Sequence, residues 1–213
     1  MDARIQAIVE AAKGAECVAD IGTDHGKTAL ALYLSGCRVI AADISEKCLG
    51  KARALAADAG AEIDFRLGDG LSVLKNGECD TVVITGMGGL EIIDIIKGSA
   101  YPKYVLSPHR DAPKLRRALI AAGLGIERDF TVESSGKFYD IIVAVSKGGK
   151  RDLTEREEKF GLELRGSAAF IARAKARIAK YKEKIAEADE RAKAALSLKL
   201  KEWENILAYA ENF

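Results

Sequence analysis

Residues that build metal centres and disulfide frameworks are scarce in this chain of 213 residues. It has two histidines and four cysteines, and no two cysteines show the C-x-x-C spacing. Three of the cysteines, Cys17, Cys37 and Cys79, fall in or beside predicted strands, so we interpret them as small core residues. Two histidines form no ligand cluster for a metal. The sequence predicts a reduced, cytoplasmic protein without a metal site.

Long apolar runs and strong net charge are also missing. No run of 18 apolar residues is available to span a membrane, and the segment Met1–Arg4 lacks the features of a signal peptide. The formal net charge is +1, which excludes a polycation, and hydrophobic residues make up 48% of the chain. The composition and length therefore predict one full domain plus a smaller one, with no membrane contact.

The most informative segment begins at the first strongly apolar run. Cys17–Ile21 predicts a buried strand, Gly22–Gly26 a turn, and Lys27–Leu34 a helix. Arg38–Ala42 predicts a second strand, and Asp43 follows it, about 20 residues after the turn. This order is typical of a nucleotide-binding unit in which the acid accepts hydrogen bonds from a ribose.

The identity of the turn residues indicates which nucleotide binds. A dinucleotide fingerprint has glycine at the second turn position, where this chain has Asp24, and Asp20 lies just before the turn. Two carboxylates would repel a pyrophosphate but attract the ammonium and sulfonium cations of S-adenosylmethionine (SAM). The sequence therefore favours SAM over NAD. A purely structural glycine turn with two helix-capping acids remains the alternative.

Up to Ser146, apolar strand runs alternate with helical stretches, and two final strands are joined through Glu133–Gly136. This order predicts a parallel sheet with right-handed crossovers and an antiparallel hairpin at its edge. Ligands of such sheets lie beyond the carboxyl ends of the strands. The loops expected there are Gly22–Gly26, Asp43–Ile44, Gly68–Gly70, Gly86–Gly89 and Ser107–Arg110.

Composition changes after a predicted linker, Lys147–Lys150. Thr154–Glu157 forms a capping box, and beyond Gly166 apolar residues recur in alternating steps of three and four. We predict an α/β protein with a Rossmann-like seven-stranded sheet in residues 1–148 and a helical coiled-coil hairpin in residues 149–213. The helices are expected to turn near Asp189 or Ser197, in a monomer or weak dimer. A single long helix that dimerises with another chain is the alternative.

Basic residues are clustered in two places, which suits a polyanionic partner such as RNA. A solvated coiled-coil face is the alternative, because aromatic residues are scarce among the basic ones. The tail cluster consists of Arg173, Lys175, Arg177, Lys180, Lys182 and Lys184, and the second cluster of Arg110, Lys114, Arg116 and Arg117.

The segment after the fourth predicted strand constrains the methyl acceptor. Enzymes that methylate exocyclic amino groups often carry Asn/Asp-Pro-Pro-aromatic there, whereas this chain has Gly86–Gly89. A glycine-rich loop lets backbone groups approach a flat ring, and a ring nitrogen with an in-plane lone pair needs no deprotonation before methylation. The product is cationic, so a carboxylate such as Asp24 could stabilise the transition state. We predict Asp24 and Met87 as catalytic residues.

Three segments, Val18–Gly26, Arg66–Leu71 and Ile84–Gly89, resemble the bacterial tRNA (adenine-22-N1)-methyltransferase family, TrmK. Gly136–Tyr139 and the plan of a Rossmann-like methyltransferase sheet followed by a coiled-coil tail are also similar to this family. The resemblance implies SAM-dependent methylation of N1 of the adenosine at position 22 of tRNA. It also implies that the tail helps to hold the tRNA.

The resemblance also implies roles for individual residues around SAM, with the Asp69 carboxylate accepting a hydrogen bond from the adenine amino group. The methionine part would be surrounded by Asp20, Gly22, Asp24, His25 and Gly26, the ribose and one adenine face by Asp43 and Ile44, the adenine edge by Gly68, Asp69 and Gly70, and the methyl-transfer mouth by Gly86, Met87, Gly88 and Gly89.

Two details concern the target base. After the fifth strand the family has Gln-Pro-Asn, whereas this chain has Ser107–His109. A target inside a folded tRNA would have to be extruded, and Tyr33, Phe138 and Tyr139 are candidates for stacking on it. Three other functions remain possible from sequence: a methyltransferase of a small molecule or protein, an NAD(P)-linked oxidoreductase, and a non-catalytic RNA-binding protein.

Overall fold

In the computed structural model, which describes residues 2–147, 149 and 151–212, seven strands form one sheet. The strand order is β3-β2-β1-β4-β5-β7-β6; the first five strands are parallel, and β7 runs antiparallel to both of its neighbours. The predicted Rossmann-like sheet with an antiparallel hairpin at its edge is confirmed. The strands are β1 (Cys17–Ile21), β2 (Arg38–Asp43), β3 (Asp64–Leu67), β4 (Thr81–Thr85), β5 (Lys103–Ser107), β6 (Gly125–Ser134) and β7 (Lys137–Val145).

Helices flank the sheet and extend beyond it, and several begin where a side chain caps the free N–H groups of the first turn. Asp2 accepts from the N–H groups of Arg4 and Ile5, and Ser45 accepts from that of Cys48. The helices are α1 (Ala3–Ala11), α2 (Lys27–Leu34), α3 (Glu46–Asp58), α4 (Gly89–Ile96), α5 (Ala112–Ala121), α6 (Glu155–Phe160), α7 (Ala168–Glu187) and α8 (Glu190–Glu211), with a 3-10 turn at Gly70–Val73.

The core lies on both faces of the central strands. Every residue of β1 is buried, and its side chains alternate: Ala19 and Ile21 belong to one apolar cluster, whereas Val18 belongs to the other. Burial on both faces explains why these strands are continuous apolar runs in the sequence. Tyr33, a candidate for stacking on a target base, is partly buried against the second cluster.

The carboxyl ends of the strands are held together by backbone hydrogen bonds between their loops. The N–H of Gly22, after β1, donates to the carbonyl of Ala42 in β2 at 2.8 Å. The N–H of His109, after β5, donates to the carbonyl of Met87, after β4, at 2.9 Å. The loops expected to converge on one crevice therefore form a connected rim.

The tail folds back on itself as an antiparallel hairpin, as predicted. Helix α8 begins after Asp189, whose carboxylate accepts from the N–H of Ala192 at 2.8 Å. Ser197, the other predicted turn position, lies inside α8. Because Asp189 caps the second helix directly, the alternative of one continuous helix is excluded for this chain.

Ion pairs and an apolar seam join the two helices of the hairpin. Lys175 pairs with Glu211 at 2.8 Å, and Lys182 pairs with Glu204 at 3.6 Å, which is the antiparallel register. The seam is best buried at the end of the hairpin nearest the sheet, where α6 and the segment after it also pack against it. The buried residues of this cluster are Phe160, Leu164, Phe170, Ala174, Ile206 and Ala210.

A buried ion-pair cluster connects the tail to the sheet. Arg116 of α5 donates to both carboxylate oxygens of Asp129 in β6, at 2.6 and 2.9 Å, and to the backbone carbonyl of Glu158 in α6 at 3.3 Å. Asp140 of β7 accepts from Arg173 of α7 at 2.5 Å. The side chain of Arg116 is 1% exposed, so its prediction as part of a basic RNA-binding cluster is wrong.

The predicted boundary between sheet and tail falls in the segment Lys147–Lys150. Gly148 and Lys150 of the predicted linker lie outside the described residues. The division into residues 1–148 and 149–213 stays a prediction. The sheet and the tail are in direct contact here too, because Arg128 of β6 pairs with Glu163, between α6 and α7, at 2.7 Å.

Candidate active site

A cavity of about 430 Å³ opens at the carboxyl ends of β1, β2 and β4. This is the position where parallel sheets of this type bind ligands. Its lining comes from the first turn of α1, the glycine turn after β1, the ends of β2 and β4, the loop after β5, and β7. The lining residues are Asp2, Arg4, Ile5, Ile8, Gly22, Thr23, Asp24, His25, Lys27, Thr28, Asp43, Thr85, Gly86, Met87, His109 and Tyr139.

The turn after β1 requires residues that adopt a left-handed backbone. Gly22 has φ +72°, Gly26 has φ +75°, and Asp24 has φ +51°. A Cβ at Gly22 would overlap the terminal methyl of Met87, and one at Gly26 would lie 2.7 Å from the Cβ of Ala52 in α3. Gly22 thus lets Met87 lie over the cavity floor, whereas Gly26 lets α2 approach α3.

Replacing Gly22 by alanine tests the contact with Met87. We expect SAM, the ligand predicted from the sequence, to bind more than about tenfold more weakly, because the new Cβ displaces Met87 into the cavity; the left-handed strain of about 1–2 kcal/mol lowers the stability of the fold instead. Isothermal titration calorimetry measures this. Gly60→Ala is the matched control, because Gly60 has φ +63° with open space around it. Equal losses of affinity in both variants would contradict the assignment.

Two carboxylates of the turn have different environments. Asp20 is buried and accepts from the Thr23 hydroxyl at 2.7 Å, and burial raises the pKa of Asp20 to about 6. The exposed Asp24 carboxylate lies 2.8 Å from Nδ1 of His25, whose Nε2 lies 2.8 Å from Nζ of Lys51. His25 therefore orients the Asp24 carboxylate.

Asp43 organises the turn from the end of β2. One of its carboxylate oxygens accepts from the N–H of Asp24 at 3.0 Å and the other from that of Ser45 at 2.9 Å. Beside it, the side chain of Ile44 is 73% exposed, and that of Leu67, opposite Asp43 in the sheet, is 57% exposed. Exposed apolar side chains next to an acid suit a flat ring attached to a ribose.

The loop after β3 lies beside Asp43 without lining the cavity itself. The N–H of Gly68 donates to the backbone carbonyl of Asp43 at 3.1 Å. Asp69 precedes the 3-10 turn, and its carboxylate makes no capping hydrogen bond to that turn. Seven of the predicted cofactor residues are absent from the cavity lining: Asp20, Gly26, Ile44, Gly68, Asp69, Gly70 and Gly88.

The glycine loop after β4 divides into two parts. Gly86, with φ +81°, and Met87 line the cavity. Gly88 and Gly89 instead lie against the loop after β5: a Cβ at Gly88 would lie 2.8 Å from Nε of Arg110, and one at Gly89 would lie 2.6 Å from a backbone oxygen of that loop. Gly88, predicted to bind cofactor, therefore serves close packing of the two loops.

Of the remaining lining residues, Arg4 had no motif to indicate it, whereas His109 and Tyr139 belong to segments already related to the target base. Arg4 and Tyr139 come from α1 and β7, and the Arg4 guanidinium lies over the Tyr139 ring, 4.6 Å from its centre. His109 lies 6.4 Å from the same ring, centre to centre. Burial, helped by the nearby positive charges of Arg4 and others, lowers the pKa of His109, so its imidazole is neutral at pH 7.

A second cavity, of about 580 Å³, shares His109 and Tyr139 with the first. It extends towards α7, so the candidate active site adjoins a groove between the sheet and the tail. Three basic side chains of α7 line it. The lining residues are Pro108, His109, Gly136, Lys137, Phe138, Tyr139, Asp140, Arg173, Ala176, Arg177 and Lys180.

Several residues of the predicted basic clusters have acidic partners. Arg110 pairs with Glu91 at 2.8 Å, and Arg117 pairs with Glu158. Lys175 and Lys182 of the tail are held by α8, as described above. The basic surface nearest the cavity is therefore narrower than the sequence predicted, and it consists of Lys137, Arg177 and Lys180.

Two classes of site are not found in the part of the chain that the structure describes. No group of three or more His, Cys, Asp or Glu side chains is arranged to hold a metal ion. No helix in these residues is both long and apolar enough to cross a membrane.

Comparison with known proteins gives a family and a fold. A family model described as a methyltransferase domain matches residues 1–142. The tRNA (adenine(22)-N(1))-methyltransferase of Bacillus subtilis is 30% identical over 158 residues, which are 70% of this chain and 66% of that protein. The chain thus spans just under two thirds of the length of this relative.

Two solved structures are similar over almost their whole length. A putative tRNA (m1A22) methyltransferase of Streptococcus pneumoniae has a TM-score of 0.85 at 23% identity, covering 97% of this chain and 99% of the other. TrmK of M. capricolum, in complex with S-adenosyl-homocysteine, has a TM-score of 0.83 at 20% identity, covering 98% of each chain. At these identities the likeness shows the fold alone.

The matched model covers the sheet from α1 into β7, which is the part of the chain that builds the cavity. The resemblance to TrmK stated from the sequence is confirmed. The chain belongs to the methyltransferase domain family.

Proposed function

We propose that this protein methylates N1 of the adenosine at position 22 of tRNA, with SAM as the methyl donor. The observation that carries the proposal is that two cavities adjoin: an acid-rimmed one lies at the glycine turn and a basic one against α7, and His109 and Tyr139 line both. A cationic cofactor fits the first, and a polyanion fits the second. The similarity to the B. subtilis enzyme supports the choice of target.

The residues present fit SAM. Asp24 and the buried Asp20 supply negative charge at the glycine turn, and Asp43 stands where a ribose is bound in related folds. Ile44 and Leu67 offer apolar surface to the adenine, and Asp69 is free to accept from its amino group. When bound, SAM supplies a methyl group activated by a sulfonium. The homologue from M. capricolum was solved with the matching product.

This chain's own residues then have to position the target ring and exclude water. Gly86 and Met87 bring backbone groups to the cavity wall without a bulky side chain at Gly86. His109, with its neutral imidazole, can exchange hydrogen bonds with the edge of a base, and Tyr139 offers a ring face. N1 of adenine carries a lone pair, so no general base is required. The Asp24 carboxylate stabilises the positive charge left on the methylated ring.

The direct test is incubation of the protein with labelled SAM and unmodified tRNA, followed by mass spectrometry of the nucleosides. We expect 1-methyladenosine in the fragment that contains position 22. A tRNA with guanosine at this position is the control and should remain unlabelled. Methylation at another nucleoside, or of protein or small molecules only, would contradict the proposal, and tRNA binding without methylation would indicate a non-catalytic RNA-binding protein.

The groove between the sheet and the tail predicts which basic residues contact phosphates. Replacing Arg177 and Lys180 together by alanine should reduce the slope of log affinity for tRNA against log salt concentration by about 1.5–2, one counterion release per lost contact. Filter binding at several salt concentrations measures the slope. Lys199 and Lys201 of α8, both exposed and outside this groove, form the matched control pair. An unchanged slope would assign Arg177 and Lys180 to a solvated face.

The environment of Asp20 predicts a pH dependence. Its pKa of about 6 arises from burial, and a bound cation favours the ionised form, so SAM should lose affinity as the pH falls through 6. Between pH 7.5 and 5.5 we expect a loss of about three- to fivefold, the drop in the ionised fraction. Calorimetry at both pH values measures it. Asp20→Asn should remove most of this dependence, and a wild-type affinity independent of pH would refute it.

A tRNA substrate also places the activity in the cytoplasm. The two helices of the tail satisfy each other's apolar seam within one chain, which supports a monomer or a weak dimer.

A further inference from the structure

Arg4 is held in the wall of the first cavity in a defined orientation. It lies in the first turn of α1, its Nε lies 3.3 Å from the hydroxyl oxygen of Ser107 at the end of β5, and its guanidinium lies over the ring of Tyr139. Contacts from a second strand and an aromatic face reduce the freedom of a long side chain. The direction in which its remaining N–H groups point is therefore set by the fold.

One nitrogen of this guanidinium lacks a partner. Nη2 of Arg4 is buried and makes no hydrogen bond within the described residues. Among these residues no carboxylate lies within ion-pair distance of Arg4, although Asp2 and Asp20 exert weaker attraction from further away. Burial lowers the pKa of Arg4, as expected for a cation that has lost water without gaining a counter-ion. Buried charged donors are costly when unpaired, and such a group indicates a missing ligand atom.

The ligand atom must be a hydrogen-bond acceptor, because guanidinium has only donors, and an anionic oxygen also supplies the missing counter-charge. The cations of SAM are served by Asp20 and Asp24 and its ribose by Asp43, but no residue has yet been assigned to its amino-acid carboxylate. That carboxylate is the one anionic group of SAM, and it belongs to the methionine part, which the glycine turn faces. Arginine binds carboxylates through parallel hydrogen bonds with defined geometry.

We infer that Arg4 binds the carboxylate of SAM and so fixes the methionine end of the cofactor. The inference rests on the proposed use of SAM. It gives α1, which precedes the first strand and carries no recognised motif, a direct part in cofactor selection. The buried nitrogen gains its partner only in the complex.

The test compares two ligands that differ at one group. Wild-type protein and Arg4→Gln are titrated calorimetrically with SAM and with decarboxylated SAM, in which a hydrogen replaces the carboxylate. The wild type should prefer SAM by about 10- to 100-fold, the value of hydrogen bonds to a charged group. Arg4→Gln should bind SAM more weakly by a similar factor and should no longer distinguish the two ligands. Arg4→Lys, which keeps the charge but not the paired geometry, should retain part of the preference.

The matched control is Arg53→Gln, which removes an arginine of α3 whose partner is the surface residue Glu46. It should retain the wild-type preference. If Arg4→Gln still prefers SAM over its decarboxylated form as strongly as the wild type, the inference is refuted while the proposed cofactor stands. Loss of tRNA affinity with SAM affinity unchanged would also refute it, and would assign Arg4 to a phosphate. A wild type that binds neither ligand would overturn the proposed function together with this inference.

Discussion

Replacement of Arg116 by alanine is expected to lower the free energy of unfolding by about 3–5 kcal/mol, because it leaves Asp129 as a buried charge without a partner. Asp129 is fully buried, and burial raises its pKa to about 6 even though Arg116 opposes the rise. The same guanidinium also reaches the carbonyl of Glu158 in the tail. Urea denaturation followed by circular dichroism measures the loss.

The pH dependence of the destabilisation caused by Arg116→Ala separates loss of the ion pair from simple loss of packing. Without Arg116 the folded-state pKa of Asp129 rises further above its unfolded value. The folded variant is then favoured when Asp129 is protonated, and that advantage disappears as the pH rises through the folded pKa. The destabilisation should therefore be smaller at pH 5 than at pH 8. Arg117→Ala, which removes the exposed neighbour that also pairs with Glu158, should cost at most about 1 kcal/mol. Equal losses in both variants would rule out the buried pair as the cause.

Replacement of Asp43 by alanine should weaken SAM binding by about 100-fold or more. Two charge-assisted hydrogen bonds to a ribose are each worth about 1.5–3 kcal/mol. The structure adds a second cause, because Asp43 also accepts from the N–H groups of Asp24 and Ser45 and so holds the glycine turn in place. Calorimetry measures the affinity, and circular dichroism should show an intact fold.

Asp43→Asn separates the two causes. The amide oxygen can still accept from one backbone N–H, so the turn is better held, but the negative charge is lost; we expect an intermediate affinity. Asp58→Ala, an exposed acid at the end of α3, is the control and should bind SAM normally. Wild-type affinity in Asp43→Ala would exclude Asp43 from the cofactor site.

The elements that were predicted well are those whose signals are local. β1 and α2 have the predicted bounds, because β1 is a short apolar run closed by Gly22 and α2 begins directly after Gly26. The sequence restricted the position of the turn in the tail to Asp189 or Ser197, since both are good N-cap residues. The choice between them depends on which length lets α7 and α8 pair, and that is a tertiary property.

The candidate site was predicted only in part, because some of its residues are brought together by tertiary structure and not by a local motif. Asp24, Asp43 and Met87 belong to contiguous motifs, whereas Arg4, His109 and Tyr139 meet through the order of strands in the sheet. Arg116, in contrast, was predicted to belong to a functional surface but is buried. Its basic neighbours suggested a surface patch, but its partner Asp129 lies on a different element, so the charge pattern of the sequence could not distinguish a buried ion pair from an exposed basic residue.

The placement of β7 between β5 and β6 has a consequence for biosynthesis. β6 leaves the ribosome first yet occupies the outer position, so its neighbour in the sheet does not exist until residues 137–145 have been translated. Asp129 of β6 therefore depends on β7 for its place beside Arg116, and Arg173 can pair with Asp140 only after α7 has also been translated. Vectorial synthesis thus makes the residues of the glycine turn available early and those that anchor the tail last.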